Sequence, residues 1–305
     1  MLWFEQFDLR AAEMLPELDY VKDEPMSRHT SFRIGGPARR MVFPKTGEEL
    51  SRVLRLAGEC GAEVFLLGNG TNLLVADEGL DRVVVDTTKY LQKIELLEDG
   101  VTIRAEAGAS LAAVAVFAWK NSLMGLEFAH GIPGSLGGAV VMNAGAYNGV
   151  MEQVVTRVTA LMPDGVIRTL AAEELEFRYR HSVFSDCDAV VLSAELRLAP
   201  GDEAAIRAEM DNLMQRRRSS QPLEFPSAGS TFKRPVGHYA GALIEKNGFK
   251  GVRVGGAEVS EKHAGFVINR GGATCADVLA LMEQIRKTIW EKDGVEIEPE
   301  VKIIR

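Results

Sequence analysis

The sequence predicts a protein of mixed helices and strands in more than one domain, and three observations carry that reading. First, 305 residues exceed an ordinary single domain, so two or three domains are expected. Second, apolar residues at helical spacing alternate with short apolar runs of strand length, with no internal repeat and no low-complexity segment. Third, two glycine-dense loops, LGNGTNLL at 67–74 and GIPGSLGGAVVMNAGAYN at 131–148, interrupt that pattern. With 46% hydrophobic residues, each part can bury a core.

Residues 1–26 read as a helical arm, apolar at Leu2, Phe4, Leu9, Met14 and Leu15, followed by a charged link. Such an arm packs on a neighbour or caps the first domain. Gly35-Gly36-Pro37 is a turn and 40–43 a short strand. Thr46 and Glu49 have capping-box spacing, and Leu50, Val53, Leu54 and Ala57 continue a helix that closes at Gly61. Residues 64–67 form a buried strand running straight into Gly68, Asn69, Gly70, Thr71 and Asn72. Consecutive N–H groups in such a turn make a concavity for an anion such as a pyrophosphate. The turn lacks both the Gly-Lys-Ser/Thr ending of a phosphate loop and the G-x-G-x-x-G of a Rossmann fingerprint. Taken singly, it is an ordinary turn.

Residues 83–85 and 101–103 are further strands, and Ser110 starts a helix with Leu111, Val114, Ala115 and Ala118 on one face. In the second loop, glycines let backbone approach a flat or charged group because no Cβ intervenes. Residues 135–142 read as loop turning into helix, whose start offers free N–H groups. A buried turn is the better reading of this loop alone; the similar loop upstream shifts the balance. His130 reads as a satisfied, half-buried histidine rather than a base.

Residues 154–161 and 166–170 form a hairpin about Pro163-Asp164-Gly165, and 189–197 a closing strand. Pro200-Gly201 marks a boundary. The helix at 202–220 ends in Arg216-Arg217-Arg218, which is either a solvated helix end favoured by the dipole or a phosphate clamp. In the last part, 240–247 is a helix ending at Gly248, and 257–259 and 264–268 are strands. Thr274 with Asp277 caps a long helix bearing Val278, Leu281, Met282, Ile285 and Ile289. The chain closes on a strand at 295–304 that holds Glu298 and Glu300.

A net charge of −8 argues against nucleic acid or an anionic membrane as main partner, while leaving a phosphate ligand open. Cys60, Cys187 and Cys275 form no C-x-x-C pair, which suggests a reducing compartment and neither a disulfide framework nor a metal site. Residues 1–15 carry acids within their apolar stretch, unlike a secretory signal or a membrane span. A cytoplasmic protein is expected.

Five motifs in order, LGNGTNLL, GIPGSLGGAVVMNAGAY, YRHSVF, PSAGSTFKRP and IEPEV, resemble the UDP-N-acetylenolpyruvoylglucosamine reductases of bacterial cell-wall synthesis, from about residue 31 to 304. Each motif is modest alone; the ordered set is specific. The resemblance implies an FAD-binding domain of the vanillyl-alcohol-oxidase (PCMH) type at 31–200, in two subdomains at about 31–88 and 89–200. A C-terminal α+β substrate-binding domain follows at 201–305, and residues 1–30 are the arm. It also implies non-covalent FAD, NADPH as hydride donor, a UDP-sugar substrate, and a monomer or weak homo-oligomer.

Carried over by residue, the resemblance makes Arg180, Ser230 and Glu300 catalytic. The flavin would be held by Gly68, Asn69, Gly70, Thr71 and Asn72 and by Gly131, Ile132, Pro133, Gly134, Ser135, Gly137, Gly138 and Ala139. The substrate would meet Tyr179, Arg218, Lys233 and Arg234. Two features depart from some members. Phe184 is followed by only Ser185-Asp186-Cys187-Asp188 before the next strand, which looks like the shorter-loop type lacking a tyrosine that closes over the uridine. Arg234 stands where some members have asparagine.

These residue types suit reduction of an enol ether. Its neighbouring carboxylate must take up the developing negative charge, and a bidentate cation such as Arg180 stabilises it. Glu300 is expected to be protonated at that step, or to orient the substrate through a shared proton, since an ionised carboxylate would be repelled. Ser230 can deliver a proton if a cation such as Lys233 or an arginine lowers the cost of the alkoxide. Two other readings compete. An oxidase or dehydrogenase of the same fold commonly tethers flavin to a histidine near the first glycine loop, and residues 68–72 offer none. A non-catalytic UDP-sugar-binding protein would not need Arg180, Ser230 and Glu300 together.

Overall fold

The computed structural model describes all residues from Met1 to Arg305. The chain divides into two compact units, each discontinuous in sequence. Unit 1 comprises Met1–Lys22, Arg40–Asn69 and Arg82–Arg216; unit 2 comprises Asp23–Arg39, Gly70–Asp81 and Arg217–Arg305. The fold is α+β, as expected, and no helix is long and apolar enough to cross a membrane.

Unit 1 has two cores. The first lies around helices α1 (Trp3–Met14) and α2 (Gly47–Glu59). Of the apolar residues expected in the arm, Leu15 is buried and Phe4 half-buried, but Leu2, Leu9 and Met14 are exposed. The covered row is instead Phe7, Ala11 and, past the helix, Leu15. That i, i+4, i+8 row packs against Leu50 and Val53 of α2, so the arm caps its own unit. The link after it is no loose segment either: Asp19–Pro25 is the outermost strand of a four-stranded sheet. Arg40, buried, reaches Asp8 of α1 through two bonds of 2.6 and 2.7 Å, which fixes the helix. At the start of α2, Thr46 accepts from Glu49 N–H at 3.1 Å. The Glu49 carboxylate turns to Lys45 N–H at 2.5 Å, one residue short of the expected box.

In the sheet, Val64–Leu67 pairs parallel with Leu80–Asp86 and forms the other edge. Parallel neighbours cannot be joined by a tight hairpin, so the chain makes an excursion between them, and the first glycine turn opens it. The second core of unit 1 is a five-stranded antiparallel sheet in the order Ile167–Ala171, Val155–Leu161, Val190–Arg197, Thr102–Glu106, Ile94–Leu96. On it pack α3 (Leu111–Lys120) and the short α4 (Leu136–Val141). Leu111, Val114, Ala115 and Ala118 are the buried row of α3, and Ser110 is its cap, as the spacing predicts. Helix α5 (Glu203–Ser220) adds Ile206, Met210 and Leu213 to this core.

Unit 2 is built on α6 (Ala240–Lys246), α7 (Cys275–Asp293) and a small antiparallel sheet of Arg253–Val254, Ala257–Val259 and Val267–Asn269. Thr274 and Asp277 cap α7 as read from the sequence. The expected strand at 295–304 shrinks to Lys302–Ile304, parallel to Leu73–Val75. Upstream, Pro299 makes only an isolated antiparallel bridge with Phe232. The two ladder bonds there, Lys233 N–H to Glu298 C=O at 2.8 Å and Glu300 N–H to Thr231 C=O at 2.9 Å, flank the proline. Pro299 thus occupies the position whose missing N–H is not needed, and the ring stops a regular ladder from extending through it.

Candidate active site

In unit 1 the two glycine loops meet. Asn69 Nδ2 donates to the Pro133 carbonyl at 2.9 Å, and a Cβ at Gly68 would overlap the Ser135 hydroxyl. Glycine at 68 is therefore a packing requirement. Val64–Leu67 is an edge strand, and the N–H groups of Gly68 and Asn69 donate to no protein carbonyl. Those of Gly134 and Ser135 are likewise unclaimed.

The start of α4 is less open than the sequence implied. Leu136 N–H donates to Ala109 C=O and Gly137 N–H to Ala107 C=O, both at 2.8 Å. Ser135 Oγ caps Gly138 N–H at 3.4 Å. The expected free amides are thus mostly consumed by the 107–109 segment. Gly137 serves close packing instead, since a Cβ there would sit 2.9 Å from that of Ala107. The unclaimed donors lie just before the helix.

The same unit holds the arginine motif in a tight turn. Arg178 and His181 exchange two backbone bonds of 3.1 Å, leaving Tyr179 and Arg180 at the tip. Arg180 has φ +56, an uncommon conformation for a side-chain-bearing residue. Its guanidinium lies 5.3 Å from the Tyr179 ring centroid, and Tyr179 is exposed. Two buried residues the sequence reading did not single out fasten this turn. Asn143 donates to Arg178 C=O at 3.1 Å and accepts from Glu152 N–H at 3.0 Å. Ser182 donates to Val141 C=O, the last residue of α4, at 2.9 Å. Both stand inside the quoted motifs, at MNAG and RHSV, which was the available signal. His130 is half-buried, but its Nδ1 has no partner, so it is not the satisfied histidine expected. Burial, and then Arg207, hold its pKa below the usual histidine value against the pull of Asp211.

Unit 2 assembles the other candidates. Ser230 is half-buried and follows Gly229, whose φ is +75. Thr231 next to it is pinned three ways. Its N–H goes to Gly265 C=O, its Oγ1 accepts from Val267 N–H, and its C=O accepts from Glu300 N–H, each at 2.9 Å. That ladder brings Ser230 and Glu300 onto neighbouring strands. Asn72 joins them, its Nδ2 donating to Glu300 C=O at 3.0 Å. The N–H groups of Gly70, Thr71 and Asn72 donate to no protein acceptor. The expected partner of Ser230, Lys233, has its ammonium 2.9 Å from Glu298; hydrogen bonding and charge from Lys233 hold that carboxyl below its usual range. Arg234 stacks on Tyr239 at 4.0 Å. Arg218 is exposed, and Lys262 Nζ donates to its carbonyl at 2.6 Å. No group of His, Cys, Asp and Glu suited to a metal occurs.

Comparison with known proteins accounts for this distribution. Residues 38–171 match the profile described as "FAD binding domain", and residues 221–304 that described as "UDP-N-acetylenolpyruvoylglucosamine reductase, C-terminal domain". The curated UDP-N-acetylenolpyruvoylglucosamine reductase of Geobacillus kaustophilus is 49% identical over 300 residues, covering 98% of each chain. The chain belongs to the UDP-N-acetylenolpyruvoylglucosamine reductase family. The Clostridium perfringens reductase is 46% identical, covering 99% of this chain and 98% of its own. The crystal structure of the Thermus caldophilus reductase superimposes with a TM-score of 0.80 at 34% identity, over 95% of this chain and 99% of that one. The fold expected from the sequence, an FAD-binding part plus this family's C-terminal domain, is therefore the fold found. The donor set fits an FAD: the unclaimed amides of Gly68, Asn69, Gly134 and Ser135 lie on two loops that the Asn69–Pro133 bond holds together, and such amides suit an anionic group.

Proposed function

We propose that this chain reduces the enolpyruvyl group of UDP-N-acetyl-3-O-(1-carboxyvinyl)-glucosamine to give UDP-N-acetylmuramate, in peptidoglycan precursor synthesis. When bound, non-covalent FAD carries the hydride from NADPH to the double bond. The observation that carries the reading is the ladder that pairs Thr231, the residue after Ser230, with Glu300, with Asn72 tied to the same strand, in a chain nearly half identical to these reductases along its length.

Ser230 delivers the proton to the α-carbon. Arg180, presented by a constrained turn, stabilises the carboxylate as charge grows on it. Glu300 acts protonated or through a shared proton. Because Lys233 is already neutralised by Glu298, an arginine is the better source of positive charge for Ser230, while Lys233, Arg234, Tyr179 and Arg218 serve the substrate. Residues 68–72 hold the flavin pyrophosphate, and Gly131, Ile132, Pro133, Gly134, Ser135, Gly137, Gly138 and Ala139 the ring. In functional terms, 31–200 carries the flavin, 201–305 the substrate, and 1–30 the arm.

The four residues between the Val183–Ser185 turn and Val190–Arg197 support the shorter-loop type, without a tyrosine lid. A cytoplasmic monomer or weak homo-oligomer fits the composition. The test is the visible spectrum: purified protein is yellow, bleaches with NADPH, and regains colour on adding the enolpyruvyl UDP-sugar. Bleaching without recovery refutes the substrate assignment. Ser230→Ala should leave bleaching near normal and slow recovery; equal damage to both half-reactions removes Ser230 as donor.

A further inference from the structure

The amides of Gly70, Thr71 and Asn72 provide partial charges only, whereas a pyrophosphate carries full ones. Unit 2 carries a lysine on the strand next to that turn. Lys302 N–H donates to Asn72 C=O at 2.9 Å, and the register sets Lys302 directly opposite Leu73. The residue is thus one strand spacing from the end of the turn. Its ammonium forms no ion pair, and burial alone pulls its pKa below the usual lysine value, with no carboxylate restoring it. The residue as a whole keeps access to solvent, so an anion held at the turn can form a charge-assisted bond with the ammonium.

Several other cations of unit 2 are spent on carboxylates. Lys233 is taken by Glu298, Lys246 by Asp293, Lys250 by Glu245, and Arg253 with Arg270 by the buried Glu258. Lys302 stands beside unclaimed amides instead. We infer that Lys302, on the last strand beside the 70–72 turn, is a cofactor-binding residue that pairs with the pyrophosphate of FAD. The inference rests on the flavoenzyme reading above. A lysine suits this role because its ammonium acts as a compact point charge that can follow either phosphate.

The test uses wild-type protein, Lys302→Met and Lys302→Arg, each stripped of flavin and titrated with FAD and with riboflavin, which has no phosphate. Loss of one charge-assisted bond should weaken FAD binding by Lys302→Met about tenfold to a hundredfold, leave riboflavin affinity unchanged, and flatten the salt dependence. Lys302→Arg should recover most of the loss. The melting temperature of the flavin-free protein reports any damage to the fold separately. Unchanged FAD affinity in Lys302→Met overturns the assignment, as does an equal loss for FAD and riboflavin. Intact FAD affinity with a raised KM for the UDP-sugar would give Lys302 to the substrate's diphosphate and overturn it too. A wild-type protein that takes up no FAD refutes the flavoenzyme reading itself, a result distinct from all of these.

Discussion

Gly68→Ala tests the closest approach of the two glycine loops. The added Cβ overlaps Ser135 Oγ, and the backbone on either side has little room to yield, because Asn69 is bonded to Pro133 and Leu136 to Ala109. The cheapest escape is rotation of the Ser135 hydroxyl. That breaks its cap on Gly138, a loss of about 0.5–1 kcal/mol for so long a bond, and adds an off-rotamer cost of about 0.5–1.5 kcal/mol. The expected destabilisation is about 1–3 kcal/mol, the usual range for overpacking. Ser135→Gly should cost only a few tenths of a kcal/mol, roughly the penalty for glycine at an N-cap. The double variant should recover about 1–2 kcal/mol relative to the sum, as touching residues do. Urea unfolding of the flavin-free variants, followed by far-ultraviolet circular dichroism, measures the cycle. Additive effects, within roughly 0.5 kcal/mol, would show that the hydroxyl does not dictate glycine at 68.

Other expectations follow from particular contacts. Asn143→Ala releases Arg178 and Glu152; it should destabilise by about 1–3 kcal/mol and slow reoxidation by substrate more than reduction by NADPH in stopped-flow traces. Arg40→Met leaves Asp8 with Lys22 alone and should cost about 3 kcal/mol, as when a buried pair loses one member, with α1 becoming sensitive to protease. For Asp8, burial raises the carboxyl pKa, but Arg40 and Lys22 together outweigh it, so the folded value lies below 3.8. Its stabilisation is complete above about pH 4 and fades as the pH falls through the depressed folded value; Asp8→Asn should flatten the acid limb of a stability–pH curve. Pro299→Ala should cost less than about 1 kcal/mol, the unfolded-state term alone, because no ladder bond needs that N–H; a larger drop in urea midpoint would contradict the register.

Local chemistry was the legible part of this chain. Ser110, Ser135 and Thr274 cap the helices their spacing announces, and Gly61, Gly165 and Gly248 take positive φ where turns were expected. Leu67 does feed an open glycine turn. What escaped depends on partners distant in sequence. The α1 face was misread because Leu2 and Leu9 are no less apolar than Phe7 and Ala11; only the position of α2 decides which row is covered. The free amides expected at α4 vanish because Ala107 and Ala109 reach them from the turn after Thr102–Glu106. Asn143 and Ser182 look like ordinary polar loop residues until Arg178 and Val141 are seen above them. The pairing of Lys233 with Glu298 follows from a bridge between Phe232 and Pro299 that no local pattern reveals.

The parallel pairing of Leu73–Val75 with Lys302–Ile304 sets an order of events during synthesis. A segment made early must wait for one made far downstream, and contacts so far apart in sequence are slow to form. Until that downstream segment has been made, Leu73–Val75 keeps one strand edge without its mate, exposed to chaperones and to aggregation.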